Sequence, residues 1–197
     1  MEGTTMGSGS MAKRRGIVTG ANKGIGLEIC RQLASNGNFW ISILLILDCE
    51  AFRAFKLGGG VVNDENVDML KEIKQRTYEK AEECIRTNYY GTQRVTQSLL
   101  PLLQLSPSAR IVNVSSLRGQ LKNIHNHQVK AELENVGELT EEKLDKILQR
   151  FLRDFKEDKL GANGWPVIAS AYKVSKAAVN AYTRITERKF LCAPRIG

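Results

Sequence analysis

Apolar positions recur at three- and four-residue steps in some stretches of the chain and form short runs or alternations in others, so helices and strands can be told apart by period. Residues 15–19 (RGIVT) are short and β-branched and run into Gly20, which predicts a buried strand ending in a tight turn. Over residues 25–35, Ile25, Ile29 and Leu33 recur every four positions and Gly37 follows, which predicts a helix. Residues 39–47 (FWISILLIL) are an apolar run of nine. A membrane-crossing helix needs about 20 such residues, so a buried strand is the better reading. Residues 15–47 thus predict strand, glycine turn, helix, strand, the βαβ unit from which layered parallel sheets are built.

Residues 51–65 (AFRAFKLGGGVVNDE) are glycine-rich and show no period, whereas about 66–103 reads as helical, in two segments broken near Thr77. After a loop at Pro107 and Ser108, RIVNVSS at 110–116 alternates as a strand does and ends in small hydroxyl residues. The plainest helix is LTEEKLDKILQRFLRDFKED. Leu144, Ile147, Leu148, Phe151, Leu152 and Phe155 form its apolar stripe, Thr140 suits the N-cap, and Glu141 and Glu142 suit the positive end of the helix dipole. Such a stripe requires a surface to cover it. The chain contains no internal repeat.

With 197 residues, 42% hydrophobic and 25% charged, the chain has the composition of one globular domain and enough apolar residues for a core. Its 29 basic against 21 acidic residues give a net charge of +8, suited to an anionic partner such as a phosphorylated cofactor. The basic residues are scattered and form no stripe or known module, which argues against nucleic-acid binding. Cys30, Cys49, Cys84 and Cys192 have neither metal-site nor disulfide-framework spacing, so reduced thiols and a cytoplasmic location are expected. Residues 1–11 lack the apolar core of a secretory signal and read as a disordered leader, with Met11 a second possible start. His125 and His127 have no further ligands near them in sequence and are read as solvated loop residues, so no metal is expected.

Two stretches carry candidate chemistry. TGANKGIG at 19–26 sets Gly20, Gly24 and Gly26 between the first strand and the first helix. There one glycine permits the turn, a second lets backbone approach a pyrophosphate, and a third lets the helix pack closely, while free N–H groups at the helix start face the phosphate. The spacing is neither GxGxxG nor a P-loop, and a purely structural turn remains the alternative. ASAYKVSKAAVNAY at 169–182 places Tyr172 and Lys176 one helical turn apart on one face. Taken alone, such a pair is more often a solvated helix face.

In order along the chain, TGANKGIG, TNYYGT, IVNVSS and YKVSK resemble the short-chain dehydrogenase/reductase family, and within it the plant salutaridine reductase and neomenthol dehydrogenase group related to carbonyl reductase. The matching stretches cover roughly residues 12–37 and 60–190. The resemblance implies an α/β, doubly wound parallel-sheet (Rossmann) fold and NADP-dependent hydride transfer to a ketone or aldehyde, with a terpenoid- or alkaloid-like carbonyl as the substrate class. It assigns Tyr172 as proton donor, Lys176 as the cation beside it and the holder of the nicotinamide ribose, Ser116 as a hydrogen-bond donor to the substrate oxygen, and Asn88 as support for a proton relay. A free phenol titrates near about 10, and a neighbouring cation favours the phenolate, which gives the YxxxK spacing a chemical reason. For Asn88 a solvent-facing helix position is the alternative. Gly20, Asn22, Lys23, Gly24, Ile25 and Gly26, with Tyr172 and Lys176, would hold the cofactor.

The 55 residues between Ser116 and Tyr172 exceed the usual family connection. They resemble the insertion of the carbonyl reductase and salutaridine reductase group, which covers the face other members use to dimerise and implies a monomer. GWP at 164–166 is similar to that group as well. The expected organisation is therefore a leader at 1–11 and one partial dinucleotide-binding domain at 12–197, with a helical insertion at about 118–166 before the catalytic helix. The fold is expected to be incomplete. About twenty residues stand between Gly37 and Gly59, where the family has several elements and an NNAG strand end, and the chain stops at KFLCAPRIG where a PG motif would follow. A catalytically silent dinucleotide-binding or interaction protein is the competing reading. Lys23 and the basic total favour NADP, whereas Asp48, about 20 residues beyond the turn, is the residue type that favours NAD.

Overall fold

A computed structural model describes residues 14–21, 24–35, 39–44, 77–106 and 109–192. The chain divides into two compact units, one up to Asp48 and one from Cys49 onward. The leader, Asn22, Lys23, the end of the apolar run at 45–47, Asp48, the glycine-rich stretch at 51–65 and the helical start expected at 66–76 lie outside the described residues.

In the first unit, strand β1 (Arg14–Thr19) runs through a glycine turn into helix α1 (Gly24–Ser35), and strand β2 (Phe39–Leu44) follows. β1 and β2 are parallel, in register from Arg14 opposite Phe39 to Thr19 opposite Leu44. Two parallel strands cannot be joined by a tight hairpin, and α1 supplies the crossover. This is the βαβ unit that the period of the sequence predicts.

The second unit is helical. Residues 77–85 form α2, a single π-turn spans Arg86–Tyr90, and α3 (Gly91–Gln104) continues from it. The π-turn is an irregularity that the sequence does not signal, while the break expected near Thr77 lies at the edge of the described residues. After the extended segment 109–116 come two 3₁₀ turns, Leu117–Gly119 and Leu121–Asn123, and helices α4 (His127–Glu134), α5 (Glu141–Lys156) and α6 (Ser170–Cys192). The α4 helix is absent from the sequence reading, which places His127 in a loop. It is only eight residues long and is started by Asn126, whose side chain accepts from Val129 N at 2.9 Å.

Helix α5 matches its pattern closely. The Thr140 hydroxyl accepts from Lys143 N at 3.2 Å, and the stripe of Leu144, Ile147, Leu148 and Phe151 is buried, with Leu152 and Phe155 at its partly exposed margin. Phe151 stands edge-on to Trp165 at 5.3 Å between centroids. The Trp165 indole in turn donates to the buried Asp154 carboxylate at 2.8 Å. Burial by itself would raise the Asp154 pKa. Hydrogen bonds from Trp165 and Asn163 and the charge of Arg153 outweigh it and hold the carboxyl below the ordinary range.

The inserted helices are fastened to α3 and α6 by polar contacts. Glu141 accepts from Gln93 at 2.7 Å, from Gln97 at 2.8 Å and from Lys189, while Arg188 caps the turn before α5 through the Val136, Gly137 and Leu139 carbonyls. Burial works against the Glu141 carboxylate, but these donors bring its pKa below the usual value.

One expectation is not met. RIVNVSS at 110–116 is extended, yet forms no ladder among the described residues, whose sheet has only the two strands β1 and β2. Helical periodicity is satisfied within one segment, but a strand is completed only by a neighbour.

Candidate functional site

The glycine turn belongs to the first unit. Gly20 and Gly24 have φ of 63° and 58°, a region that residues with a Cβ avoid. A Cβ on Gly26 would lie 2.5 Å from the Gly20 carbonyl oxygen, so the start of α1 can close onto the turn only with glycine there. A Cβ at Gly24 would meet nothing within 4 Å, which leaves the first turn of α1 open to an approaching group. Gly24 and Ile25 are exposed at that end. Free N–H groups, positive helix dipole and open backbone together fit a pyrophosphate. The expectations for Asn22 and Lys23 lie outside the described residues.

The other candidate residues belong to the second unit, and α6 organises them. Tyr172 and Lys176 are both half-buried, one turn apart as the spacing predicts, with the ammonium 5.7 Å from the phenol ring centroid. Lys176 Nζ donates to the Val114 carbonyl at 3.1 Å, and Ser115 Oγ donates to the Lys176 carbonyl at 3.3 Å. Further along, Asn180 donates to the Gly119 carbonyl at 3.2 Å and Asn113 to the Thr183 hydroxyl at 2.9 Å. Among the described residues, the segment 113–119 is therefore fixed along α6 by side chains and not by a sheet ladder. It approaches so closely that a Cβ on Gly119 would lie 2.8 Å from both the carbonyl carbon and the Cβ of Lys176.

Ser116 sits at the end of this segment and accepts from Arg118 N at 3.1 Å, as the N-cap of the first 3₁₀ turn. The neighbouring Ser115 makes the contact to α6. Asn88 does not face solvent: its amide donates to Ser175 Oγ at 2.9 Å and to Cys84 Sγ at 3.5 Å. It lies in the π-turn, a type of irregularity often found at functional sites. The neighbouring Tyr89 phenol donates to Asp145 of α5 at 3.3 Å. Burial, reinforced by the charge of Asp145, pushes the Tyr90 phenol up to about 12 and moves Tyr89 in the same direction. The inserted helix thereby contacts the turn that carries Asn88.

Ala169, just before α6, has a φ of 51°, unusual for a residue with a Cβ, and the adjoining Val167 and Ile168 are exposed. His125 and His127 are exposed, and no cluster able to hold a metal ion occurs among the described residues. No helix among the described residues is long and apolar enough to cross a membrane.

The short chain dehydrogenase family model matches residues 58–130. Short-chain dehydrogenase/reductase 1 of Saponaria officinalis is 40% identical, over 90% of this chain and 78% of its own length, and (+)-neomenthol dehydrogenase of Arabidopsis thaliana is 36% identical over 89% and 78%. The solved structure of salutaridine reductase from Papaver somniferum superposes with a TM-score of 0.71 at 34% identity, covering 90% of this chain and 83% of that one. The chain belongs to the short-chain dehydrogenase/reductase family, whose members are oxidoreductases using nicotinamide dinucleotides. Its fold is the doubly wound parallel-sheet (Rossmann) type, in an incomplete form. The match to the Saponaria protein extends over 239 positions, more than the 197 residues of the chain, so internal blocks of that relative have no counterpart here.

Ser175, Gly119 and the pair Asp154–Trp165 are the structural residues that the sequence reading passes over. A signal existed for Ser175. It falls within the buried stripe of α6 formed by Ala171, Val174, Ala178, Tyr182 and Ile185, and a polar residue in an apolar stripe needs a partner. Gly119 and Asp154 gave none, because each is explained by a contact far away in sequence.

Proposed function

We propose that the chain is an NADP-dependent reductase module that delivers a hydride to a ketone or aldehyde, with a bulky apolar carbonyl compound of the terpenoid or alkaloid kind as substrate class. The observation that carries this reading is α6 itself: Tyr172 and Lys176 share one face, and the serine segment and the Asn88 turn are both tied to the same helix. Tyr172 would give a proton to the carbonyl oxygen, with the Lys176 charge favouring the phenolate left behind and Ser116 donating a hydrogen bond to the same oxygen. Gly20, Asn22, Lys23, Gly24, Ile25 and Gly26 would hold the pyrophosphate end of the cofactor, and Tyr172 and Lys176 its ribose end. The nicotinamide, when bound, supplies the hydride. Lys23 and the excess of basic residues support NADP, and the Arabidopsis and Papaver relatives are named for terpenoid and alkaloid substrates. We read both units as parts of one dinucleotide-binding domain and the protein as a monomer, because the inserted α5 is fastened over α3 and α6. The buried free thiols of Cys30 and Cys84 suit the cytoplasm.

A second reading is favoured by the internal blocks that have no counterpart here. Hydride transfer needs the nicotinamide in near-attack geometry, and a displacement of about 1 Å costs about a hundredfold in rate. A chain that binds dinucleotide yet turns over little or nothing is the expected consequence. Calorimetry with NADPH and NADH, followed by NADPH oxidation with menthone-like and aromatic ketones, tests both readings. Binding is expected, Gly24→Asp should abolish it, and turnover should be weak. Restoring the absent blocks from a full-length relative should create activity that Tyr172→Phe removes. Absence of binding to the folded chain would refute the cofactor assignment, and activity surviving Tyr172→Phe would refute the catalytic one.

A further inference from the structure

The Ser175 side chain is completely buried, although it lies between Tyr172 and Lys176 on the helix that bears them. Its hydroxyl donates to the Tyr172 carbonyl at 2.9 Å, the common way in which a serine in a helix satisfies itself against the preceding turn. That bond alone would mean nothing further. The same oxygen, however, accepts from Asn88 Nδ2 at 2.9 Å, across 87 positions of sequence, and Cys84 Sγ stands 3.8 Å away. The π-turn at Arg86–Tyr90 widens the helix at the level of this contact and presents Asn88 to α6. A buried hydroxyl with one donor and two acceptor sites is thus committed to two partners, one on each element.

We propose that Ser175 is a positioning residue, whose hydroxyl sets the turn carrying Asn88 against the first turn of α6, and so fixes Asn88 relative to Tyr172 and Lys176. The inference rests on the reading of those three residues as the site. An apolar residue at 175 would leave the Asn88 amide only the weaker Cys84 Sγ acceptor on its own helix, and the π-turn would lose its hydrogen bond to α6.

The test is nuclear magnetic resonance on the 197-residue chain, which needs neither cofactor nor turnover. In Ser175→Ala, solvent exchange of the Asn88 side-chain amide should accelerate at least tenfold and the Tyr172 ring signals should shift. The Trp165 indole N–H, held by Asp154 on α5, should keep its position and report that the fold is intact. Ser175→Cys, which keeps the volume with a weaker acceptor, should give an intermediate acceleration and serves if the alanine variant does not fold. Unchanged Asn88 exchange and unchanged Tyr172 signals in a folded variant would overturn the proposal. Failure of NADPH binding would sink the functional reading instead, and leaves this result standing or falling by itself.

Discussion

Helix α5 carries an apolar stripe at helical spacing, and the segment 110–116 carries an alternation at strand spacing. In the structure α5 is complete, capped by Thr140 and covered along Leu144, Ile147, Leu148 and Phe151. The segment 110–116 has the extended shape but no ladder among the described residues, and Val112 is 85% exposed. The difference lies in where the backbone hydrogen bonds go. A helix closes N–H to C=O four residues back within its own segment, whereas a strand draws them from another. Among the described residues, the segment and the turn that follows it are held instead by contacts to α6, through Lys176, Asn180 and Thr183. That arrangement fixes Val114, Ser115 and Gly119 along α6 beside Lys176 and Asn180.

The largest expected effect is on the α5 side of this contrast. Phe151→Asp would place a carboxylate against Trp165 and Phe155, and burying an unpaired charge there should cost about 4 kcal/mol or more. Loss of the cooperative thermal transition in circular dichroism is the outcome; an unchanged melting temperature would mean that the stripe is not load-carrying packing at all. Next comes the docking of 113–119 on α6. Gly119→Ala introduces a Cβ 2.8 Å from Lys176 backbone and should destabilise by about 1–3 kcal/mol, seen as a lower denaturation midpoint with an unchanged slope. If the midpoint holds, the segment is free to move off the helix and the side-chain fastening is weaker than its geometry suggests.

A pH effect of intermediate size separates α5 from its surroundings. The Asp154 carboxyl is held below its ordinary range despite its burial, chiefly by the Trp165 indole, so its folded pKa lies below the unfolded value of about 3.9. The stabilisation is present above that value and is lost as pH falls through the folded pKa. Trp165→Phe should therefore cost about 1–2 kcal/mol at neutral pH from the lost hydrogen bond to a charged group, and less in acid, where the gap between variant and parent narrows. Parallel stability curves from pH 7 to 2 would count against the indole as the source. The smallest effect belongs to 110–116. Val112→Pro removes an N–H that has no ladder partner among the described residues, and should change stability by less than about 0.5 kcal/mol. A large loss would reveal a strand pairing that completes the segment after all.

Much of the candidate site was legible because its parts are local. Tyr172 and Lys176 are one turn apart in any helix, and Gly20, Gly24 and Gly26 sit where a strand-to-helix turn needs positive φ or close backbone approach. Thr140 and the stripe of α5 are likewise set by spacing alone. What sequence reading could not supply depends on partners far along the chain. By its spacing Asn88 could face solvent, and only its bond to Ser175, 87 positions away, turns it inward, while nothing local announces the π-turn at 86–90. The alternation at 110–116 is that of an extended segment, but the partners it meets among the described residues lie on α6, 62 positions away in the case of Val114 and Lys176. The sequence by itself determined that α1 and α5 are helical, where they begin and which face of α5 is apolar, since those are energies of one segment with itself and with water. Only the tertiary structure decided that the serine segment docks on a helix and that Ser175 answers Asn88. Those contacts join groups whose pairing depends on the path of the whole backbone, and a local pattern carries no record of that path.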